Sequence, residues 1–287
     1  MNFRSRRTDA TRSRSAGTLR ASLGPDRGPV IVPVDVDRLV LDWAAAEAAA
    51  RGSELHVVHA FRWAQQVDAG GYPVVDLRAR IEAEAFVAAT IRRVRRTMPS
   101  LRIRACVYAG RQTTALINEA RNTVDALVVL NHAPGRIPAR RLLRRTSASL
   151  AVVCLSPPGF VARATGQVVV GVDATGGPAS VLGFAFRAAR RRGIGLTVIH
   201  ALSSPDVEEI EDTVRIWQTA YPEVPVRWSI DTGTVDSLLL AESTGAALTV
   251  LGPDRHHWLH RTLKGSPTNT ILRLNRGPLV IVHPPAL

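Results

Sequence analysis

Two segments of this chain, Arg51-Gly-Ser-Glu-Leu-His-Val-Val-His-Ala60 and Arg192-Gly-Ile-Gly-Leu-Thr-Val-Ile-His-Ala201, are near-copies of one another. In both, a glycine ends a helical stretch and an apolar strand begins at once. The elements around them are duplicated in the same order. Pro29–Val34 and Gln167–Val172 are apolar runs, each followed directly by an aspartate, Asp35 or Asp173. Helical stretches follow, Val40–Arg51 and Val181–Arg192. A further helix is expected from about Asp76 to Arg96 in the first half and from Asp206 to Ala220 in the second. Strands Leu101–Tyr108 and Val224–Ile230 lead to Gly110 and Gly233, each opening another helix. Ala126–Leu130 and Ala247–Leu251 read as fourth strands, and Leu150–Leu155 and Pro278–His283 as fifth ones.

Strands that alternate with helices, and that are apolar without alternating, make βαβ units and a parallel sheet covered on both faces. Repetition at roughly 135 residues is a domain-sized interval and means duplication of a whole domain. The 287 residues therefore divide into a basic tail (1–28), a first α/β domain (29–157), a linker (158–165) and a second domain (166–287). Each domain is long enough to bury a core without disulfides or metal.

The net charge of +13 invites a nucleic-acid reading, but Lys264 is the lone lysine, and an arginine bias of this kind follows from codon usage. No aromatic-interleaved basic stripe accompanies it, so specific nucleic-acid binding is not expected. The tail, with Arg4, Arg6, Arg7, Arg12, Arg14, Arg20 and Arg27, has no apolar periodicity and reads as a solvated segment or a misplaced start. Cys106 and Cys154 lie in apolar runs and read as buried free thiols of a reducing compartment. No apolar stretch has the length of a membrane span, and no hydrophobic segment follows the N-terminal arginines as in a secretory signal. A cytoplasmic location away from membranes is the expectation.

The aspartate-ended strand, the helix–Arg-Gly–strand–His-Ala join and the glycine loop after strand four, in two ordered copies, resemble the universal stress protein family from about Pro29 to the C-terminus. The resemblance implies two flavodoxin-like, Rossmann-like α/β domains, each a five-stranded parallel sheet between helices, packed as a pseudo-dimer through their last strands. One chain would then stand in for a homodimer, and further homodimerisation is compatible with that. ATP-binding members carry G-x-x-G, nine residues and G-[ST] after strand four. Glycines there let backbone amides approach phosphate, and the final pair opens a helix whose N-terminus favours negative charge.

The second half keeps Gly252 and, after His256 to Lys264, Gly265-Ser266. Arg255 stands where the second glycine would be: either it changes the path of the loop, or its guanidinium meets a phosphate bidentately. By resemblance, Asp173 bonds the adenosine portion of ATP, Ala201 supplies a backbone contact near the base, and Gly252, Gly265 and Ser266 hold the triphosphate. The first half has Asn131 in place of the first glycine, a loop about seven residues shorter, and no G-[ST]. It is expected to be nucleotide-free. Its Pro138–Thr146 helix carries Arg140, Arg141, Arg144 and Arg145, which read as a solvated face.

His256, His257 and His260 lack nearby cysteines and sit in a variable loop of the family, so no metal site is expected. His59 and His200 read as satisfied structural histidines, since no nucleophile neighbours them. Asp35 reads as a helix cap. The motifs G-x-S-x-G, H-E-x-x-H and G-x-x-x-x-G-K-[ST] are missing from the sequence, and no residue set reads as catalytic machinery. The implied function is stress-linked regulation through an adenine nucleotide and a protein partner. The alternative is a nucleotide-free interaction scaffold with both sites degenerate.

Overall fold

The computed structural model of the protein describes residues 27–63, 65–67, 73–75, 77–131, 139–153, 166–172, 178–201, 207–231, 235–252 and 277–283. The chain forms two compact units, one of Arg27–Leu155 and one reaching from Ser156 to Leu287.

In the first unit, strands β1 (Val30–Pro33), β2 (Leu55–Phe61), β5 (Ile103–Ala109), β6 (Leu127–Asn131) and β7 (Ser149–Val153) are all parallel, in the order β5-β2-β1-β6-β7. Val30 pairs with Leu55 on one side and with Leu127 on the other. Every residue of β1 is buried. That is the price of a helix on each face, and it explains the unbroken apolar runs. Helix α1 (Arg38–Arg51) packs on β1 and β6, α2 (Arg78–Thr97) on β2 and β5, and α3 (Gln112–Arg121) on β2 and β1. A short α4 (Ala139–Arg145) packs beside β7. It buries Leu142 and leaves Arg141, Arg144 and Arg145 exposed, a solvated arginine face as the sequence implies.

Helix α1 begins two residues before the apolar pattern does. Asp37 caps it, accepting a hydrogen bond from the Leu39 amide at 3.1 Å, so the capping expected of Asp35 falls to its neighbour and Asp35 stays exposed at the end of β1. At the other end Gly52 is left-handed, with φ 64. Its amide donates to Ala49 O and the Ser53 amide to Ala48 O, both at 3.0 Å, a Schellman closure. The second unit repeats this at Gly193 (φ 62), with Gly193 donating to Arg190 O and Ile194 to Ala189 O. The glycine of each Arg-Gly join is thus a helix stop in structure as in sequence.

The second unit orders β8 (Val168–Gly171), β9 (Leu196–Ala201), β10 (Val226–Asp231), β11 (Leu248–Leu251) and β12 (Pro278–Ile281) as β10-β9-β8-β11-β12, again all parallel. Helices α5 (Pro178–Arg192), α6 (Val207–Ala220) and α7 (Val235–Ser243) complete it. Between α5 and α6, Phe186, Trp217 and Tyr221 stack, with Trp217 and Tyr221 ring centroids 5.9 Å apart. Gly183 makes room for the indole: a Cβ there would lie 2.5 Å from Trp217 Cζ2.

One element has no sequence forecast. Between β2 and α2, β3 (Gln65–Val67) and β4 (Pro73–Val75) pair antiparallel as a hairpin outside the parallel sheet. Three-residue strands are too short to leave a period in the sequence.

The two units also share a close approach at the entry to their first strands. A Cβ on Gly28 would sit 2.1 Å from Asp125 O, and one on Gly166 would sit 1.9 Å from Gly245 O. Both neighbours are backbone, so neither can swing aside. Gly28→Ala is expected to destabilise the first unit by about 1–3 kcal/mol, the range for overpacking. A urea titration would show this as a lower midpoint, and an unchanged midpoint would mean that the approach is looser than the geometry requires.

Candidate functional site

In each unit the first strand is the central one, and the chain crosses to one side for the second and third strands and to the other for the fourth and fifth. The switch point therefore lies between strands one and four, where ligands enter open parallel sheets at the carboxyl ends. In the second unit that point is the β8–β11 pair, in register from Leu248↔Val168 to Leu251↔Gly171. Gly252 follows β11 and is half-buried, and Ala201 ends β9. Asp173, Arg255, Gly265 and Ser266 lie outside the described residues, as do His256, His257, His260, Cys154 and the side chain of His200. The structure thus brings Gly252 and the backbone of Ala201 to the carboxyl edge of one sheet, on strands flanking β8.

At the same edge of the first unit, β1 ends at Pro33 while β2 continues to Phe61, so the outer backbone groups of β2 lose their partners on that side. The Ala60 amide takes a side-chain partner instead, and Val58 O, which already accepts from the Val34 amide at 3.1 Å, gains a second donor. Gln112, the first residue of α3, accepts from the Ala60 amide through Oε1 at 2.8 Å and donates to Val58 O through Nε2 at 2.9 Å. Ala60 is the counterpart of Ala201 in the duplicated His-Ala sequence. In the first repeat, then, the amide equivalent to the proposed base contact is already bonded from within. The matching first residue of α7 is Val235, two residues after Gly233 as Gln112 is two after Gly110, and it has no hydrogen-bonding side chain.

A second constellation lies away from that edge, between α3 and the β2–β5 pair. Glu119, near the end of α3, is buried and accepts from His56 Nδ1 on β2 at 2.6 Å. The Tyr108 hydroxyl on β5 donates to its other oxygen. His56 Nε2 is 3.3 Å from Oε2 of the half-exposed Glu54. Cys106 joins the group as a buried free thiol, the state its sequence setting implies.

The His56 hydrogen bond, opposed by burial and aided by Tyr108, holds the Glu119 carboxyl down at about 2 against an ordinary 4.5. Burial, and then the Glu119 charge, push the Cys106 thiol up to about 12. Burial and the bond to Glu119 raise Tyr108 as well. A thiol so protonated is a poor nucleophile.

The second unit has the same glutamate with other partners. Glu242 on α7 accepts from Arg227 Nη2 at 2.6 Å and from Ser229 Oγ at 3.0 Å, both on β10. The Arg227 bond lowers its pKa. Thr197, which stands where His56 does, donates to Gln167 Oε1 at 2.6 Å.

Over 160 residues the chain is 29% identical to a universal stress protein of Mycobacterium tuberculosis, matching 50% of this chain and 54% of that protein. The match therefore spans about half the length of that relative. A second universal stress protein of the same organism is 28% identical over 249 residues, 80% of this chain and 90% of the relative. The crystal structure of a universal stress protein from Archaeoglobus fulgidus superposes with a TM-score of 0.64 at 16% identity, covering 90% of this chain and 97% of that one. The chain is thus similar to universal stress proteins over most of its length. No family model matches it. The solved structure supports the α/β fold with its parallel sheet and helices on both faces.

Among universal stress protein features, the sequence points to the carboxyl edge of the second sheet but not to Gln112 or the Glu119 cluster. The Gln112 contact was detectable only as an amide residue at a helix start where the other repeat has valine. His56 and Glu119 are 63 residues apart, and nothing local links them. His59 departs from its forecast: its ring lies 5.5 Å from Phe86, but its buried Nδ1 has no hydrogen-bond partner.

The Glu119 carboxylate, with its depressed pKa, contributes stability that is whole above about pH 4.5 and is lost as the pH falls toward about 2. Glu119→Gln should therefore cost about 1–3 kcal/mol at neutral pH, and the gap to the parent should close over that acid window. Urea midpoints measured across the pH range test this; a gap independent of pH would mean the carboxylate is not held charged.

Proposed function

We propose that this chain is a universal stress protein, a cytoplasmic, non-enzymatic regulator whose second repeat binds an adenine nucleotide, ATP included, and that occupancy changes its contacts with a protein partner. The observation that carries the proposal is the contrast at the switch point. In the first repeat Gln112 already bonds the Ala60 amide, whereas Val235 offers nothing to the corresponding Ala201. The repeat that retains Gly252, Gly265 and Ser266 in the spacing of a phosphate loop is the one whose base-contact amide is spared this internal bond.

In this reading Asp173 meets the adenosine portion and the Ala201 backbone meets the base. Gly252, Gly265 and Ser266 present amides and a hydroxyl to the phosphates, with charge favoured at the helix start after Gly265. Arg255 adds a guanidinium to a phosphate oxygen in place of the missing glycine. No helix among the described residues is long and apolar enough to cross a membrane.

Nucleotide released on denaturing the purified chain would identify the ligand. With ATP at a hundredfold excess over its Kd, the second unit gains about 2.7 kcal/mol and melts several degrees higher. Gly265→Asp puts a carboxylate among the phosphates and should abolish the shift. Val235→Gln, which copies Gln112, should weaken binding by about tenfold or more, the loss of one well-placed hydrogen bond. A parent protein that neither releases nucleotide nor shifts with ATP would leave the scaffold reading in its place.

A further inference from the structure

We propose that His56, Cys106 and Glu119 of the first unit form a binding site for a borderline-soft divalent cation of the zinc class. Their ligand atoms, one from each side chain, all lie within 4.8 Å of one another, and all three residues are buried. Imidazole nitrogen, thiolate and carboxylate are the donors zinc takes in proteins. Around a tetrahedral ion such donors stand about 3.3–3.6 Å apart, given bond lengths of about 2.0–2.3 Å. His56 Nδ1 and Glu119 Oε1, now at 2.6 Å, would part slightly while Cys106 closes in, changes within the reach of side-chain torsions.

The outer contacts are those of a metal centre. If Nδ1 takes the ion, the remaining imidazole proton sits on Nε2, which faces the Glu54 carboxylate at 3.3 Å. A carboxylate behind a ligating histidine fixes its tautomer and orientation. The Tyr108 hydroxyl does the same for Glu119 by holding the carboxylate oxygen not turned to His56. Strand β5 ends the order of its sheet, and Glu54 is half-exposed, so an ion need not cross the core.

The second unit indicates what the fold itself requires at this place. There the matched glutamate, Glu242, is satisfied by Arg227 and Ser229, with Thr197 at the histidine position. The helix–strand junction is therefore built without an imidazole or a thiol. The first unit has exchanged the arginine bond for two metal-binding groups around the same carboxylate, and Arg104, at the position of Arg227, is exposed. Binding requires the Cys106 thiolate, so the thiol proton is released to solvent as the ion enters.

The test uses the full chain, stripped with a chelator and titrated with Co(II) and then Zn(II). The expected result is one Co(II) per chain with a near-ultraviolet thiolate-to-metal charge-transfer band that zinc abolishes. The band should be lost in Cys106→Ser and kept in Cys154→Ser and in the combined His256→Ala, His257→Ala, His260→Ala variant. Tyr108→Phe and Glu54→Gln should weaken zinc binding about 10–100-fold with the band intact. If Cys106→Ser does not fold, His56→Thr, which copies the second unit, should lose at least tenfold in affinity. Absence of the band in the parent protein, its persistence in Cys106→Ser, or its loss in the triple histidine variant would each overturn the proposal.

Discussion

A strand buried on both faces must have its backbone hydrogen bonds completed by its neighbours, and in the first unit the central strand β1 is shorter than the four parallel strands ordered with it. β1 stops at Pro33 while β2 continues to Phe61, so groups on β2 beyond the last β1 partner need another source of bonds. How each repeat answers that need decides what its switch point can do. Gln112 answers it internally in the first repeat, pinning the start of α3 to β2 through Val58 and Ala60. The Ala60 amide is thereby occupied by a side chain of its own domain. The second repeat has valine at that position and retains the glycines after β11, so one sequence difference at a helix start and one in a loop point the same way.

The architecture was legible because its signals are local and occur twice. Gly52 and Gly193 adopt the same left-handed closure that the Arg-Gly pairs announce, and the unbroken apolar runs become strands covered on both sides. Most element ends agree with the sequence reading within about two residues, the margin at which helix ends fray. Within that margin, α1 starts at Arg38 because Asp37, not an apolar residue, sets its first turn. Outside it, α5 starts three residues early, at Pro178. The hairpin of β3 and β4 was not legible, since its three-residue strands pair with each other outside the sheet.

The site was legible only as a location. Aspartates at strand ends and a spaced glycine loop mark the carboxyl edge of a sheet, and that inference needs nothing but strand order. The Glu119 cluster is of another kind. His56, Cys106, Tyr108 and Glu119 come from two strands and a helix, and each looks unremarkable in its own segment: a histidine and a cysteine within apolar runs, a glutamate on an amphipathic helix. Only the register, with His56 beside Arg104 and Val58 beside Cys106, puts them under one helix face.

Duplication supplies the argument that composition could not. Glu119 and Glu242 occupy the same place on matched helices, each nine residues after the glycine that opens the turn, Gly110 or Gly233. A carboxylate between a helix and a sheet must be surrounded by donors or it costs several kcal/mol. That requirement fixes the glutamate but not the identity of its partners, provided they change together. In the second unit one arginine supplies most of the compensation; in the first, an imidazole, a phenol and a thiol share it. Removing any single donor from the first set would leave the charge under-satisfied, whereas the second unit builds the same junction with a different set. The two repeats therefore hold a common backbone while the chemistry beneath their third helices is free to diverge.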